Sequence, residues 1–198
     1  MKPEKTIARM QAGDSVRIVA LGDSLTYGWM AEKGYIDFLQ DRLKACYPAA
    51  AIHFINRGIP GDTAEGGLQR LGTEVIDAGP DLVFVQFGLN DAFTGCPPAQ
   101  YAATISRIVE RLQQETRAEV LLLTSVALAD PKEDALAEKY YGMLSQVAAE
   151  RGVPLARVHA WWKEKRGANF EGLLQGDLVH PTANGYRLMA EAIMQKLQ

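Results

Sequence analysis

Ser24 stands in the run Gly22-Asp23-Ser24, directly after an apolar segment. A serine hydroxyl held at such a turn becomes a nucleophile when a base removes its proton, although a serine after a strand is more commonly a helix cap. Only His53, His159 and His180 offer an imidazole, the side chain suited to accept and return a proton near neutral pH. His180 lies in Asp177-Leu178-Val179-His180-Pro181, and a short loop of that kind lets the carboxylate reach one ring nitrogen while the other faces a cleft. Taken alone, the same spacing also suits a capping aspartate beside a surface histidine. His53 falls within an apolar run and is expected to alternate into packing. His159 ends a fifth apolar run, precedes Trp161 and Trp162, and has no nearby carboxylate until Glu164, so it reads as packing or pocket wall. Acyl transfer also needs donors aimed at a developing oxyanion, each contributing about 3 kcal/mol in the transition state. Asn90 offers a side-chain amide, and Gly61 offers a backbone N–H unobstructed by a Cβ. Each is an ordinary turn former by itself. Turn formation alone does not explain their occurrence together with Ser24 and the Asp177–His180 spacing.

The elements that must hold these residues follow from the apolar pattern. Short, nearly continuous apolar runs at Val16 to Leu21, Ile52 to Ile55, Leu82 to Phe87, Val120 to Leu123 and Val153 to Val158 predict strands buried on both faces. Helical spacing separates them, as at Tyr35, Phe38, Leu39, Leu43, then Ile105, Ile108, Val109, Leu112, then Met143, Leu144, Val147. Alternation of the two predicts a parallel sheet with helices on both sides. Pro181 to Leu197 predicts a closing amphipathic helix with proline in its first turn, preceded by an irregular stretch from Gly167 to Gly176. In such a sheet ligands bind beyond the carboxyl ends of the strands. Gly22-Asp23-Ser24, the run from Asn56 to Thr63, and Gly88-Leu89-Asn90-Asp91 all follow strand ends and would meet on one rim.

The 198 residues, 47% hydrophobic, suit one α/β domain spanning 1–198. A net charge of -3 with scattered cations argues against a nucleic-acid partner. No apolar run approaches the roughly 20 residues of a membrane span. The opening residues lack the pattern of a signal peptide, so a cytoplasmic location is expected. Cys46 and Cys96 are too few for a disulfide framework and too far apart for a zinc motif, and are read as reduced thiols, with Cys46 in a helix. The sequence does not set the oligomeric state.

Four segments resemble, in order, the blocks of the SGNH or GDSL family of esterases and lipases: Gly22-Asp23-Ser24-Leu25, Asn56-x-Gly58-x-x-Gly61-Asp62-Thr63, Gly88-x-Asn90-Asp91 and Asp177-x-x-His180-Pro181. The resemblance implies a flavodoxin-like three-layer α/β/α sandwich with five parallel strands. It further implies Ser24 as nucleophile, His180 as base and Asp177 as its orienter. The oxyanion hole would be formed by Ser24, Gly61 and Asn90, with no metal or redox cofactor. Asp23, Asp62 and Asp91 are expected to fix loops through backbone amides. The implied reaction is hydrolysis of a small-molecule ester, with carboxylesterase, carbohydrate O-deacetylase, lysophospholipase and thioesterase activities all compatible with the blocks. Segments around residues 26 to 35, 92 to 100 and 127 to 135 would choose among them. Short, stiff rim segments such as Thr94-Gly95-Cys96-Pro97-Pro98 favour short acyl groups, acetyl esters of carbohydrates among them. Neither a G-x-x-x-x-G-K-[ST] loop nor a G-x-G-x-x-G turn follows the first strand, which disfavours a nucleotide-binding enzyme. A non-catalytic binding module on the same fold would have little use for a complete triad and oxyanion set.

Overall fold

A computed structural model describes residues 1–165, 170 and 172–198. The elements run α1 (Glu4–Ala12), β1 (Ser15–Gly22), α2 (Ser24–Tyr27), α3 (Tyr35–Cys46), β2 (Ala51–Gly58), α4 (Ala64–Gln69), a π-helical turn (Gly72–Ile76) and β3 (Leu82–Gln86). They continue with α5 (Leu89–Phe93), α6 (Pro98–Glu115), β4 (Glu119–Leu123), α7 (Pro131–Arg151), β5 (Leu155–Ala156), α8 (Val158–Lys165) and α9 (Ala183–Met194). The strands form one parallel sheet in the order β2-β1-β3-β4-β5, which is the flavodoxin-like doubly wound order.

β3 shows why the sequence folds this way. All five of its residues are buried, with Leu82 and Phe84 in a core shared with α1, α3, α8 and α9, and Val83 and Val85 in a second core shared with α4, α6 and most of α7. A strand covered on both faces has no solvated side for polar residues, so Leu82 to Val85 are all apolar and the one polar residue, Gln86, must find partners inside. The helices end where chain chemistry dictates. At the start of α7, Asp130 accepts hydrogen bonds from Lys132 and Glu133 N–H, and Pro131 occupies the first helical position. Register then aligns the strand ends. Gly22 pairs with Gly58 on one side and Gln86 on the other, and Gln86 pairs with Leu123, so these strands finish level at one rim.

Several expectations need correction. The fifth strand is confined to Leu155–Ala156, and Val158 already begins α8, so His159 lies in a helix rather than at a strand end. Pro154 lacks an N–H and serves the sheet only through its carbonyl, which accepts from Leu122 N–H. β2 is an edge strand, and His53 on it is exposed rather than packed. The last helix starts at Ala183 with Thr182 as its cap, while Pro181 lies outside it in an antiparallel bridge with Leu174. Of the stretch Gly167 to Gly176, residues 167–169 and 171 lie outside the described residues; Leu174 carries the bridge. Among the described residues no helix is long and apolar enough to cross a membrane.

Candidate active site

The chain leaves β1 at Gly22 and turns at once into α2. Asp23, not Ser24, is the cap: its carboxylate accepts from Leu25 N–H at 2.9 Å. Ser24 is therefore the first helical residue, a position whose N–H has no partner within the helix. Its side chain meets His180 across the rim, with Oγ 2.9 Å from Nε2. The second ring nitrogen of His180, Nδ1, lies 2.6 Å from Asp177 Oδ2.

The loop from Asp177 to His180 is built around that carboxylate. Its Oδ1 accepts from the N–H groups of Val179 and His180 at 3.0 and 2.9 Å, which leaves Oδ2 for the imidazole. Burial tends to raise the Asp177 pKa, but these two backbone donors and the His180 ring outweigh it and hold the carboxyl below its ordinary value. Gln175 anchors the loop to its surroundings: its side-chain amide donates to Trp29 O at 3.1 Å and to Pro181 O at 2.8 Å.

The expected oxyanion donors converge on the same rim. Asp62 N–H bonds back to Ile59 O at 3.1 Å, closing a turn with Pro60 and Gly61 in the middle. Gly61 takes φ +80, the left-handed conformation such a turn demands of its third residue, and nothing stands within 4 Å of where a Cβ would be. Asn90, on α5, donates from Nδ2 to Asp62 O at 2.8 Å. One amide hydrogen is thus used to lock the side chain, and the other remains for a ligand. Gly58 is needed for a different reason: a Cβ there would stand 2.2 Å from Tyr27 N, because β2 presses against the segment after Ser24. Asn56 secures that contact by donating to Thr26 O at 2.9 Å while accepting from Gly58 N–H.

Asp62 and Asp91 fix loops as expected. Asp62 Oδ1 accepts from Thr63 N–H at 2.9 Å and Asp91 Oδ1 from Ala64 N–H at 3.1 Å. Burial pushes the Asp91 carboxyl up.

Sequence reasoning did not find Gln86, which is fully buried beneath Ser24. Gln86 accepts from Thr26 Oγ1 at 2.8 Å and donates to Asp23 Oδ2 and Ser125 Oγ at 3.2 and 2.8 Å. A glutamine inside an otherwise apolar strand was the available signal, since a buried polar side chain must find partners. Burial raises the Asp23 carboxyl to about 7 against the two hydrogen bonds that favour its charge. His159, read as packing or pocket wall, also has polar partners. It is buried, its Nε2 lies 2.8 Å from Asp134 Oδ1, and Lys163 Nζ reaches Asp134 and Glu138 at 3.3 and 2.7 Å. The carboxylate comes from α7 rather than from the neighbouring sequence.

Among the described residues the exposed large apolar side chains, Met1 aside, are Tyr27, Trp29, Met30, Ile59, Phe93 and Leu178. Each belongs to a segment that carries or flanks Ser24, Gly61, Asn90 or His180. Exposed apolar side chains are thus concentrated in these segments.

Comparison with known proteins bears on family and fold. The family model described as GDSL-like Lipase/Acylhydrolase matches residues 20–188. An acetylxylan esterase of Geobacillus stearothermophilus is 23% identical over 213 residues, covering 95% of this chain and 96% of that protein. Esterase TesA of Pseudomonas aeruginosa is 29% identical, covering 94% and 85%. The Escherichia coli protein named thioesterase 1/protease 1/lysophospholipase L1 is 27% identical, covering 96% and 86%. In structure, a crystal form of the Geobacillus enzyme superposes with a TM-score of 0.84 at 22% identity, covering 94% of this chain and 96% of that one.

Proposed function

We propose, from the premise that this chain belongs to the GDSL-like lipase/acylhydrolase family and is an ester hydrolase, that its residues 1–198 act as one hydrolase domain in which Ser24, His180 and Asp177 are the triad. Ser24 Oγ attacks the ester carbonyl as its proton passes to His180 Nε2, and Asp177 holds the ring in the required tautomer and stabilises the imidazolium. The carbonyl oxygen, becoming an oxyanion, is met by the N–H groups of Ser24 and Gly61 and by the free amide hydrogen of Asn90. His180 returns the proton to the departing alcohol, and water repeats the sequence on the acyl-enzyme. The observation that carries this reading is the unbroken run from Ser24 Oγ to His180 at 2.9 Å and from His180 to Asp177 at 2.6 Å. A further support is that the solved acetylxylan esterase includes forms described as catalytic mutants, with a serine, an aspartate or a histidine replaced by alanine. In the test, a fluorophosphonate should label Ser24 alone, and Ser24→Ala should abolish turnover of an aryl acetate. Undiminished turnover in folded Ser24→Ala protein would overturn the assignment.

The preferred substrates in this reading are small esters with short acyl groups. The acetylxylan esterase relative and the short segment Thr94-Gly95-Cys96-Pro97-Pro98 support it. The exposed apolar rim and the thioesterase/lysophospholipase relative favour a second reading, in which longer chains are accepted. The two separate on p-nitrophenyl esters of increasing length, measured below the micellar range. Each methylene buried in an acyl groove adds about 0.8 kcal/mol, so kcat/KM climbing steadily beyond the hexanoyl ester would establish the second reading.

A further inference from the structure

We infer that Arg70 is a positioning residue of the hydrolytic reaction: its guanidinium ties the turn bearing Ser24 to the loop bearing Gly61 and keeps the oxyanion donors in register with the nucleophile. The inference rests on the triad and oxyanion assignments proposed above.

Arg70 follows α4 directly, and its side chain is only 11% exposed. Its Nε and Nη2 donate to Asp62 Oδ2 at 2.9 and 2.8 Å. Nη2 also donates to Gly22 O at 3.1 Å, and Nη1 donates to Glu74 Oε2 at 2.9 Å. Gly22 is the last residue of β1, two before Ser24, and Asp62 immediately follows Gly61. Asp62 O in turn receives Asn90 Nδ2 at 2.8 Å. A single cation therefore bonds the nucleophile turn and the oxyanion loop directly, and reaches the Asn90 amide through one residue.

The chemistry requires arginine in particular. A guanidinium presents donors at fixed angles in a plane, so it can bond a carboxylate on one segment and a carbonyl on another at the same time. A lysine ammonium could approach Asp62 but would not span all three acceptors. Glu74, itself held on the π-helical turn, fixes the far edge of the plane and orients the fork. Arg70 does not reach the reacting atoms. Its effect must pass through the relative placement of Ser24, Gly61 and Asn90, a placement that matters most when the carbonyl oxygen has become tetrahedral and negative.

The test compares Arg70→Met and Arg70→Lys with the unaltered protein, using kcat and KM on p-nitrophenyl acetate and inhibition by phenylboronic acid. The boronate adduct on Ser24 places an oxygen in the oxyanion position, so it reads the geometry without turnover. Arg70→Met should lower kcat by about 10- to 100-fold with KM within about threefold, and weaken boronate inhibition by about the same factor as kcat. Arg70→Lys should fall between, and guanidinium ion should partly restore the rate of Arg70→Ala. A merely structural role would instead lower kcat in step with the unfolded fraction seen by circular dichroism at the assay temperature, leaving boronate affinity per folded molecule unchanged; that result overturns the inference. Wild-type kcat in folded Arg70→Met overturns it too. If the methionine variant does not fold, wild-type kcat and boronate affinity in Arg70→Lys have the same consequence. Turnover surviving in Ser24→Ala would defeat the reading of the site instead, so the two failures are distinct.

Discussion

A buried serine becomes reactive through what holds its partner, and here the partner is held by one carboxylate with divided duties. Asp177 spends Oδ1 on the backbone of its own loop and Oδ2 on the His180 ring. With its pKa held low, Asp177 stays ionised as pH falls, and a base must be neutral to accept the proton of Ser24. We expect kcat/KM to fall on the acid side along a single limb, unchanged by EDTA because the proposed mechanism draws only on side chains and backbone N–H groups of the chain. A second acid limb, or activity lost to EDTA and restored by a divalent ion, would contradict this. Asn90→Ala should lower kcat by about 100-fold or more with KM little changed, since the lost hydrogen bond strengthens only as charge develops; a KM effect alone would make Asn90 a binding residue. The residues proposed for the chemistry were legible because each sits in a short run of distinctive neighbours. Gln86, Arg70 and the Asp134 partner of His159 were not: Gln86 and Asp23 are 63 positions apart, Asp134 and His159 are 25 apart, and Arg70, though near Asp62 and Glu74, also reaches Gly22 O from 48 positions away.

At the scale of elements, the parallel sheet was legible from its apolar runs, and the discrepancies fall where tertiary context decides. β2 cannot be known as an edge strand until the strand order is known, so the exposure of His53 was not legible. β5 pairs only with Leu122 and Leu123, too brief a ladder to give a pattern of its own. The rim loops show a feature that composition hides. Among the described residues, Met30 and Leu178 are the non-glycine residues with positive φ, at 54° and 61°, and both expose large apolar side chains. Backbone strain of this kind is of order 1–3 kcal/mol per residue and persists where the surroundings impose it. Leu178 stands inside the turn that presents His180, so its conformation bears on the position of the proposed base. Leu178→Gly should relieve strain, less glycine's cost of about 0.5–1 kcal/mol in the unfolded chain, and raise Tm by a degree or more. The same variant should lower kcat several-fold by loosening the His180 loop. Thermal unfolding and kinetics on one preparation decide it: a variant that loses stability and keeps full kcat refutes the coupling.

For the whole molecule, what the site requires of the sheet has a cost that varies with pH. The strand ends finish level, and that brings Asp23, Gln86, Ser125, Thr26 and Tyr35 into one buried polar network beside Ser24. Asp23 is 1% exposed there, and burial lifts its carboxyl to about 7 from an ordinary 3.8. Between those values the folded chain retains a proton that the unfolded chain releases. Stability from this group is therefore full at acid pH, declines as pH rises through the window, and levels off above about 7. Three pKa units correspond to roughly 4 kcal/mol, an upper bound because the surroundings relax around the charge. The lowered carboxyl of Asp177 acts in the opposite sense, losing stability as pH falls, but its side chain is 43% exposed and solvent screening reduces its share. Asp23 should then dominate the slope between pH 5 and pH 8. At about 2–4 °C per kcal/mol for a chain of this size, its contribution is a fall in Tm of several degrees over that range. Asp23→Asn keeps an oxygen for Leu25 N–H but cannot titrate, so its Tm should be the flatter function of pH, whatever its absolute stability. Thermal unfolding of both proteins from pH 5 to pH 8 isolates the group by difference, and parallel curves would show that Asp23 does not set the pH dependence of the fold.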